Sequence, residues 1–117
     1  MTRIVYISHA ITSTDPVRQA KNLADSRAWA HRLMALGFLC YGPWNVLEAA
    51  PWATPEEAWE YAMEQCMPLV DLADAIFMAP GHDMSRGCKV EMNRAMNQDK
   101  PVFFTLQHLL EWKEQAA

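Results

Sequence analysis

The chain has 117 residues, of which 51% are apolar and 21% are charged, and its formal net charge at pH 7 is −4. This length and composition predict a single domain, residues 1–117, with enough apolar side chains for one core. The ten lysines and arginines are scattered along the chain, and the basic stripe that characterises nucleic-acid-binding proteins is absent from the sequence.

The sequence also gives no sign of a membrane protein or a metalloprotein. Its first residues run directly into an apolar segment without the cationic region of a secretory signal, and no apolar stretch approaches the roughly 20 residues that span a bilayer. The three cysteines and four histidines lack the spacing typical of metal ligands. We therefore expect a cytoplasmic protein without metal or cofactor, and with neither nucleic acid nor a membrane as its partner.

The first third of the chain predicts two strands with one long helix between them. Residues 4–8 (IVYIS) are β-branched and aromatic, which is typical of a buried strand. Pro16 suits the start of a helix, and apolar residues recur at helical spacing until Gly37 ends the pattern. Residues 38–41 predict the second strand.

A second helix follows a loop at residues 42–53 that contains two prolines and two tryptophans. Thr54 is a suitable N-cap and Pro55 a suitable first helical residue, so we expect this helix to run from there towards Ala73. Pro68 lies inside it. Because proline lacks the backbone N–H and clashes with the preceding turn, we expect a kink or an interruption at that position.

The last third of the chain continues the alternation of strands and helices. Residues 74–79 predict a strand, residues 86–98 a helix, residues 101–105 a strand and residues 106–115 a short amphipathic helix. Strands that alternate with helices of about ten or more residues predict βαβ units and a parallel sheet covered on both faces. The expected fold is a flavodoxin-like (Rossmann-like) α/β three-layer sandwich with four or five strands in the order of about 2-1-3-4.

This topology predicts where a ligand binds. In a doubly wound sheet the crevice lies outside the carboxyl ends of the strands at which the order switches, here the first and third strands. The loops that follow these strands, residues 9–15 and 80–85, should therefore converge on one site. Residues able to carry chemistry are therefore expected in that crevice.

The start of the third predicted helix is a candidate anion site. Ser85 suits the N-cap, and with Arg86 and Gly87 it would leave the N–H groups of Gly87 and Cys88 free to meet a phosphate or a carboxylate. Glycine at position 87 permits a close approach of the ligand. The alternative is that Ser85 only caps the helix and that Gly87 only packs.

Glu91 lies six residues beyond Ser85 on the same helix and has two possible orientations. It is either a solvated helix acid or a boundary acid that lines the crevice. Tyr6 and Ser8 point to the same side of the first strand, and the Tyr6 hydroxyl could orient a carboxylate by a hydrogen bond. The alternative for Tyr6 is a core tyrosine satisfied by the backbone.

Other candidates lie in the predicted loops. His82 and Asp83 could donate a proton to a leaving group, or they are simply solvated. Trp44 could stack on a base and Asn45 could contact it, although Asn45 also suits a turn. We predict that Trp59, on the second helix, belongs to the core.

Several stretches together resemble a known superfamily. They are YISHAIT at residues 6–12, ALGF at the end of the first helix, YGPWN at residues 41–45 and DAIFMAPGHDMSRGCKVEMNRA at residues 74–95. They resemble the nucleoside 2-deoxyribosyltransferase-like superfamily. The run from residue 66 to residue 95 looks more closely like the small DUF4406 group, which is often phage-encoded. The similarity covers nearly the whole chain, and its most specific element is Ser85-x-Gly87-x-x-x-Glu91.

The resemblance implies roles for the candidate residues. Glu91 matches the glutamate that attacks C1′ of a nucleoside or nucleotide, displaces the base and forms a covalent glycosyl ester, and Tyr6 matches the tyrosine that positions it. Serine at position 85 is similar to the branch that acts on nucleoside 5′-monophosphates. Homo-oligomers are expected, because neighbouring subunits help to close the pocket in that superfamily. The residues expected to bind this nucleotide are Ser8, His9, Trp44, Asn45, Asp83, Ser85, Arg86 and Gly87.

Two positions depart from the superfamily pattern. The acid that helps to protonate the base there aligns with Cys66, and the Gly-Pro or Gly-Ser after the first strand is His9-Ala10 here. Loss of an acid–base partner typically lowers the rate by about 10²- to 10⁴-fold.

We expect an N-glycosidase or deoxyribosyltransferase-like enzyme. The alternatives are a non-catalytic nucleotide-binding protein, possible in the same fold, and a small interaction protein with tryptophans and methionines at its interface.

Overall fold

A four-stranded parallel sheet organises the computed structural model, which describes residues 3–43 and 55–115. The strands run in the order β2-β1-β3-β4. They are β1 (Ile4–Ser8), β2 (Leu39–Tyr41), β3 (Ala75–Met78) and β4 (Val102–Phe103). The helices are α1 (Pro16–Ala35), α2 (Pro55–Leu72), α3 (Arg86–Asn97) and α4 (Leu106–Gln115), with a 3-10 turn at His82–Met84. The predicted α/β three-layer fold and its strand order are confirmed.

Two apolar cores lie on opposite faces of the sheet, because side chains alternate along buried strands. On one face, Val5 and Ile7 of β1 pack with Phe77 of β3 under α1 and α4. On the other face, Tyr6 and Ile76 pack under α2 and α3. Tyr6 and Ser8 therefore point to the same side of the sheet, as predicted, and this is the side that α3 covers.

The strand register brings the carboxyl ends of β1 and β3 level with each other. Tyr6 lies beside Ile76 and Ser8 lies beside Met78, and the Ala79 N–H continues the ladder by donating to the Ser8 carbonyl at 2.9 Å. The loops after both strands therefore leave the sheet at the same edge, which is the position that the topology predicts for a ligand.

Of the kink or interruption predicted at Pro68, the interruption is wrong. α2 continues through the proline from Pro55 to Leu72. Pro68 itself is exposed, while Cys66 and Val70 on either side of it are fully buried against the sheet. Burial of these two side chains offsets the cost of an internal proline, which is about 3 kcal/mol in an isolated helix.

Gly37 ends α1 as its sequence position predicts. It adopts φ +92°, and the N–H groups of Gly37 and Phe38 donate to the carbonyls of Met34 and Leu33 at 3.0 Å and 3.2 Å. This pair of bonds is a Schellman motif, which favours glycine because its positive φ is strained for other residues. The motif turns the chain directly into β2.

The Lys100 side chain caps the carboxyl end of α2. Its Nζ donates to the carbonyls of Val70 at 2.9 Å, of Asp71, and of Ala73 at 2.8 Å. Val70 and Asp71 lie in the last turn of α2 and Ala73 follows it, where carbonyls lack the usual N–H partner four residues further along a helix. A cation also interacts favourably with this end of the helix dipole.

We expect Lys100→Met to lower the free energy of unfolding by about 1–2 kcal/mol, because three carbonyls, two of them in partly buried contacts, lose a charged donor. The matched control is Lys89→Met, which removes the same charge from an exposed position of α3 and should cost less than about 0.5 kcal/mol. Urea denaturation at pH 7 measures both. Equal effects of the two substitutions would show that the carbonyl contacts contribute nothing beyond the charge.

None of the helices in the two described ranges combines the length and the apolar character that crossing a membrane requires.

Candidate functional site

Glu91 is a buried carboxylate at the carboxyl end of the sheet. Only 1% of its surface is exposed, so the interpretation of Glu91 as a solvated helix acid is wrong. The Tyr6 hydroxyl donates to Oε2 at 2.5 Å, and Ser8 Oγ donates to Oε1 at 2.7 Å. Both oxygens are thus held by donors from one strand, two residues apart.

Burial and hydrogen bonding act in opposite directions on this carboxyl. Burial raises the pKa of Glu91, the hydrogen bonds from Tyr6 and Ser8 favour the ionised form and lower it, and the net pKa is about 7 instead of 4.5. Burial, and then the Glu91 charge, raise the pKa of the Tyr6 hydroxyl well above 10. At neutral pH Tyr6 is therefore a proton donor, and Glu91 is divided between acid and carboxylate.

Ser85 is the N-cap of α3, but it occupies one of the N–H groups expected to be free. Its Oγ accepts a hydrogen bond from the Cys88 N–H at 3.2 Å. The prediction of a free Cys88 N–H is therefore wrong, because the cap side chain folds back onto the helix. Arg86 and Gly87 are the first two residues of α3. The N–H groups at the start of a helix have no carbonyl partner within the helix, and they point along its axis towards an incoming ligand.

Gly87 allows α2 to approach the start of α3 closely. A Cβ at this position would lie 3.2 Å from Met63 Cε and 3.2 Å from Trp59 Nε1. These distances are tighter than ordinary van der Waals contact, so a larger residue would push the two helices apart. Gly87 thus has a packing role at the start of α3.

Trp59 borders the site, and its assignment to the core is wrong. The Arg86 guanidinium lies 3.6 Å above its ring and pairs with both oxygens of Glu56 at 2.9 Å and 3.1 Å. Trp59 Nε1 is buried without a hydrogen-bond partner in the part of the chain that the structure describes. The sequence gives only a weak signal for this position of Trp59 at the site, namely a tryptophan one turn after the start of α2.

A small cavity adjoins Glu91 and opens towards a groove. The cavity has a volume of about 20 Å³ and is bordered by His9, Trp59, Ser85, Gly87 and Glu91, among others. The groove has a volume of about 260 Å³ and shares Trp59, Ser85 and Gly87 with the cavity. About 20 Å³ is enough for a water molecule, so a sugar reaches Glu91 only when this cavity widens.

The remaining candidates are not all in the same place. His9 borders the Glu91 cavity and is 8% exposed. Asp83 is exposed in the 3-10 turn and borders neither that cavity nor the groove, and His82 packs on Phe104 with ring centroids 5.3 Å apart. Trp44 and Asn45 lie outside the described residues.

A comparison with protein families finds a match over most of the chain. The family model described as a domain of unknown function, DUF4406, matches residues 3–104. The chain belongs to the DUF4406 family. The match runs from β1 to β4 and therefore includes Tyr6, Ser85 and Glu91. None of the curated proteins matches the chain.

A neutral thiol stands beside this site of the DUF4406 protein, at the position where the superfamily resemblance implies an acid. Cys66 is fully buried on α2, and burial raises the pKa of its thiol to about 12. It neither carries charge nor donates a proton readily at neutral pH. The arrangement thus offers an oriented carboxylate and a helix N-terminus, and any strong acid must come from another residue.

Proposed function

We propose that this DUF4406 protein cleaves the N-glycosidic bond of a nucleoside 5′-monophosphate, with Glu91 as the nucleophile. The observation that carries the proposal is the buried Glu91 carboxylate held by Tyr6 and Ser8 at the edge of the sheet where ligands bind. Burying this group destabilises the fold, and strongly perturbed carboxyl groups in clefts are concentrated at functional sites.

The proposed reaction is a double displacement at C1′. A Glu91 oxygen attacks C1′ as the base departs, and a covalent glycosyl ester forms. Water then releases the sugar phosphate, or a second base accepts the sugar, so the same intermediate serves hydrolysis and deoxyribosyl transfer. Tyr6 and Ser8 fix the carboxylate in one orientation, which removes the need to order it during the reaction.

The start of α3 suits the phosphate. Gly87 and Glu91 lie four residues apart on one face of the helix, which is about 6 Å along its axis. This separation is comparable to that between the 5′-phosphate and C1′ of one nucleotide. The N–H groups of Arg86 and Gly87, the Ser85 hydroxyl and the positive end of the helix dipole all favour an anion there.

We expect Ser85→Ala to weaken the binding of a nucleoside monophosphate by roughly ten- to a hundredfold, the effect of losing one hydrogen bond to a charged group. Binding of the corresponding nucleoside should change little. Isothermal titration with both ligands measures the difference. Ser26→Ala is the matched control, because Ser26 is buried on α1 and its hydroxyl has no partner among the described residues. Equal weakening of both ligands by Ser85→Ala would contradict the phosphate position.

The direct test is base release. The protein is incubated with a panel of ribonucleoside and deoxyribonucleoside 5′-monophosphates, and free base is separated by chromatography. Acid-quenched samples are then weighed intact for a glycosyl adduct, whose position is mapped by digestion. We expect free base from at least one nucleotide and an adduct on Glu91. No base release from any nucleotide would contradict the proposal.

The neutral Cys66 favours a second candidate function, a protein that binds a nucleotide without cleaving it. This candidate uses the same crevice and gives a different result in the same assays. A nucleotide would raise the melting temperature without turnover, and the effect would survive Glu91→Gln but be reduced by Ser85→Ala. Without any nucleotide-dependent shift at millimolar concentration, both candidate functions fail, and the interaction-protein alternative is favoured.

A further inference from the structure

His9 separates the Glu91 cavity from an open pocket on the α1 side of the sheet. It follows β1 directly and is 8% exposed. On one side it borders the cavity of about 20 Å³ together with Cys88 and Glu91. On the other side it borders a pocket of about 310 Å³ together with Asp25 and Arg32 of α1. His9 therefore borders both the cavity that Glu91 lines and a larger open pocket.

One ring nitrogen of His9 is committed to the backbone. Nδ1 lies 2.7 Å from the Ala10 carbonyl oxygen. A carbonyl oxygen can only accept, so Nδ1 carries a proton in both charge states of the ring. Nε2 is consequently the nitrogen that gains and loses a proton near neutral pH, and a fixed ring orientation is what a proton-transfer residue needs.

The proposed glycosidase reaction needs such a residue, because a departing base must be protonated. Burial raises the pKa of the thiols of Cys66 and Cys88, and the Tyr6 proton is already donated to Glu91. Asp83 borders neither the cavity nor the groove. Within residues 3–43 and 55–115, the titratable groups that border the cavity are His9, Cys88 and Glu91, and of these His9 is the remaining donor.

We propose that His9 Nε2 delivers the proton to the departing base and later receives one from the attacking water. This inference rests on the glycosidase function proposed above. In the first step a Glu91 carboxylate oxygen bonds to C1′ while the C1′–N bond breaks, and the released electron pair on the base takes the Nε2 proton. In the second step water attacks C1′, its proton passes to Nε2, and the ester oxygen leaves as the Glu91 carboxylate. The sum is nucleotide plus water giving sugar phosphate plus base.

The charges around His9 are compatible with this role. Glu91 and Cys88 border the same cavity as His9. Arg32 and Asp25, which is paired with Lys21 at 2.7 Å, border the open pocket. Burial lowers the pKa of His9 below 6.5, although Asp25 and the Ala10 carbonyl favour the charged ring. The reactive pair, a Glu91 carboxylate with a His9 imidazolium, is a minority state, and its population is greatest between the two pKa values.

The experiment compares two leaving groups. Wild type, His9→Asn and His31→Asn are assayed with the nucleotide that wild type cleaves fastest and with 4-nitrophenyl β-ribofuranoside 5-phosphate, whose nitrophenolate departs without a proton. An asparagine amide nitrogen occupies the position of Nδ1 and can keep the bond to Ala10. His31 is exposed on α1 and serves as the matched histidine control.

For His9→Asn we expect base release from the nucleotide to fall by about 10²- to 10⁴-fold. With the nitrophenyl substrate, the rate of the first stoichiometric burst should stay within about threefold of wild type, and the following steady-state rate should fall because the base for the second step is missing. His31→Asn should match wild type with both substrates. The retained burst also shows that the variant is folded.

Two results overturn the inference. Equal loss of burst rate and of nucleotide cleavage in His9→Asn would mean that His9 has only a structural role, and unchanged nucleotide cleavage would mean that the proton comes from elsewhere. In both cases an active wild type leaves the proposed function intact. If wild type releases no base from any nucleotide, the proposed function fails and the inference fails with it.

Discussion

Glu91→Gln is expected to abolish base release and, at the same time, to make the fold more stable above pH 7. Glutamine is close to glutamate in shape and can still accept the hydrogen bond from Tyr6, but it is a poor nucleophile at C1′. Removal of a nucleophile that depends on neighbouring groups, as Glu91 does on Tyr6 and Ser8, commonly lowers turnover by more than about 10³-fold. A stabilised but inactive variant is the behaviour expected of a residue retained for function.

The stability change follows from the pKa of Glu91, which burial raises from 4.5 to about 7. Below pH 4.5 the carboxyl is protonated in the folded and unfolded chains alike. As the pH rises from 4.5 to 7 the unfolded chain ionises first, so the folded state progressively loses stability. The loss is complete above pH 7 and amounts to roughly 3 kcal/mol.

Urea denaturation of wild type and Glu91→Gln between pH 5 and pH 8 measures this effect. The free energy of unfolding of the variant should exceed that of wild type by an amount that grows with pH and levels off above pH 7. His9, whose pKa burial lowers, makes the fold more stable as the pH rises towards 6.5, but it is present in both proteins and cancels in the difference. Glu64→Gln on the exposed side of α2 is the control. A difference that does not change with pH would contradict the buried carboxyl.

The fold was predictable because the local signals agree with one another. The strands β1 and β3 are short apolar runs between polar loops, which is typical of strands buried on both faces. Helices of 12 or more residues follow β1 and β3, and right-handed crossovers then leave few strand orders. The helix continues through Pro68 although an interruption is predicted there, because burial of the neighbouring side chains on α2 outweighs the tendency of proline to break a helix.

The site was only partly predictable. The two-residue period of a strand places Tyr6 and Ser8 together, and Cys88, Glu91 and Ala95 follow the spacing of one helical face, all buried in the structure. This second pattern supports the inward orientation of Glu91. The position of Trp59 was not predictable, because it depends on how the starts of two helices meet, and this is a long-range packing result.

Tyr6→Phe is expected to lower base release about tenfold at pH 6–7 and much less at pH 9. The Tyr6 hydroxyl donates to Glu91 Oε2, and this bond lowers the pKa of Glu91. Without it the pKa rises further, by about one unit for a charged hydrogen bond of this kind. Fewer molecules then carry the carboxylate at neutral pH, whereas at pH 9 nearly all of them carry it in both proteins.

Tyr41→Phe is the matched control for this substitution. Tyr41 lies beside Tyr6 with ring centroids 6.2 Å apart, and its hydroxyl is buried without a partner among residues 3–43 and 55–115. Its removal should leave the pH dependence of base release unchanged. The ratio of kcat/KM between wild type and each variant, measured from pH 5.5 to pH 9, separates two roles for Tyr6. A ratio that decreases with pH means that Tyr6 sets the protonation of Glu91, and a constant ratio means that it acts only through the shape of the site.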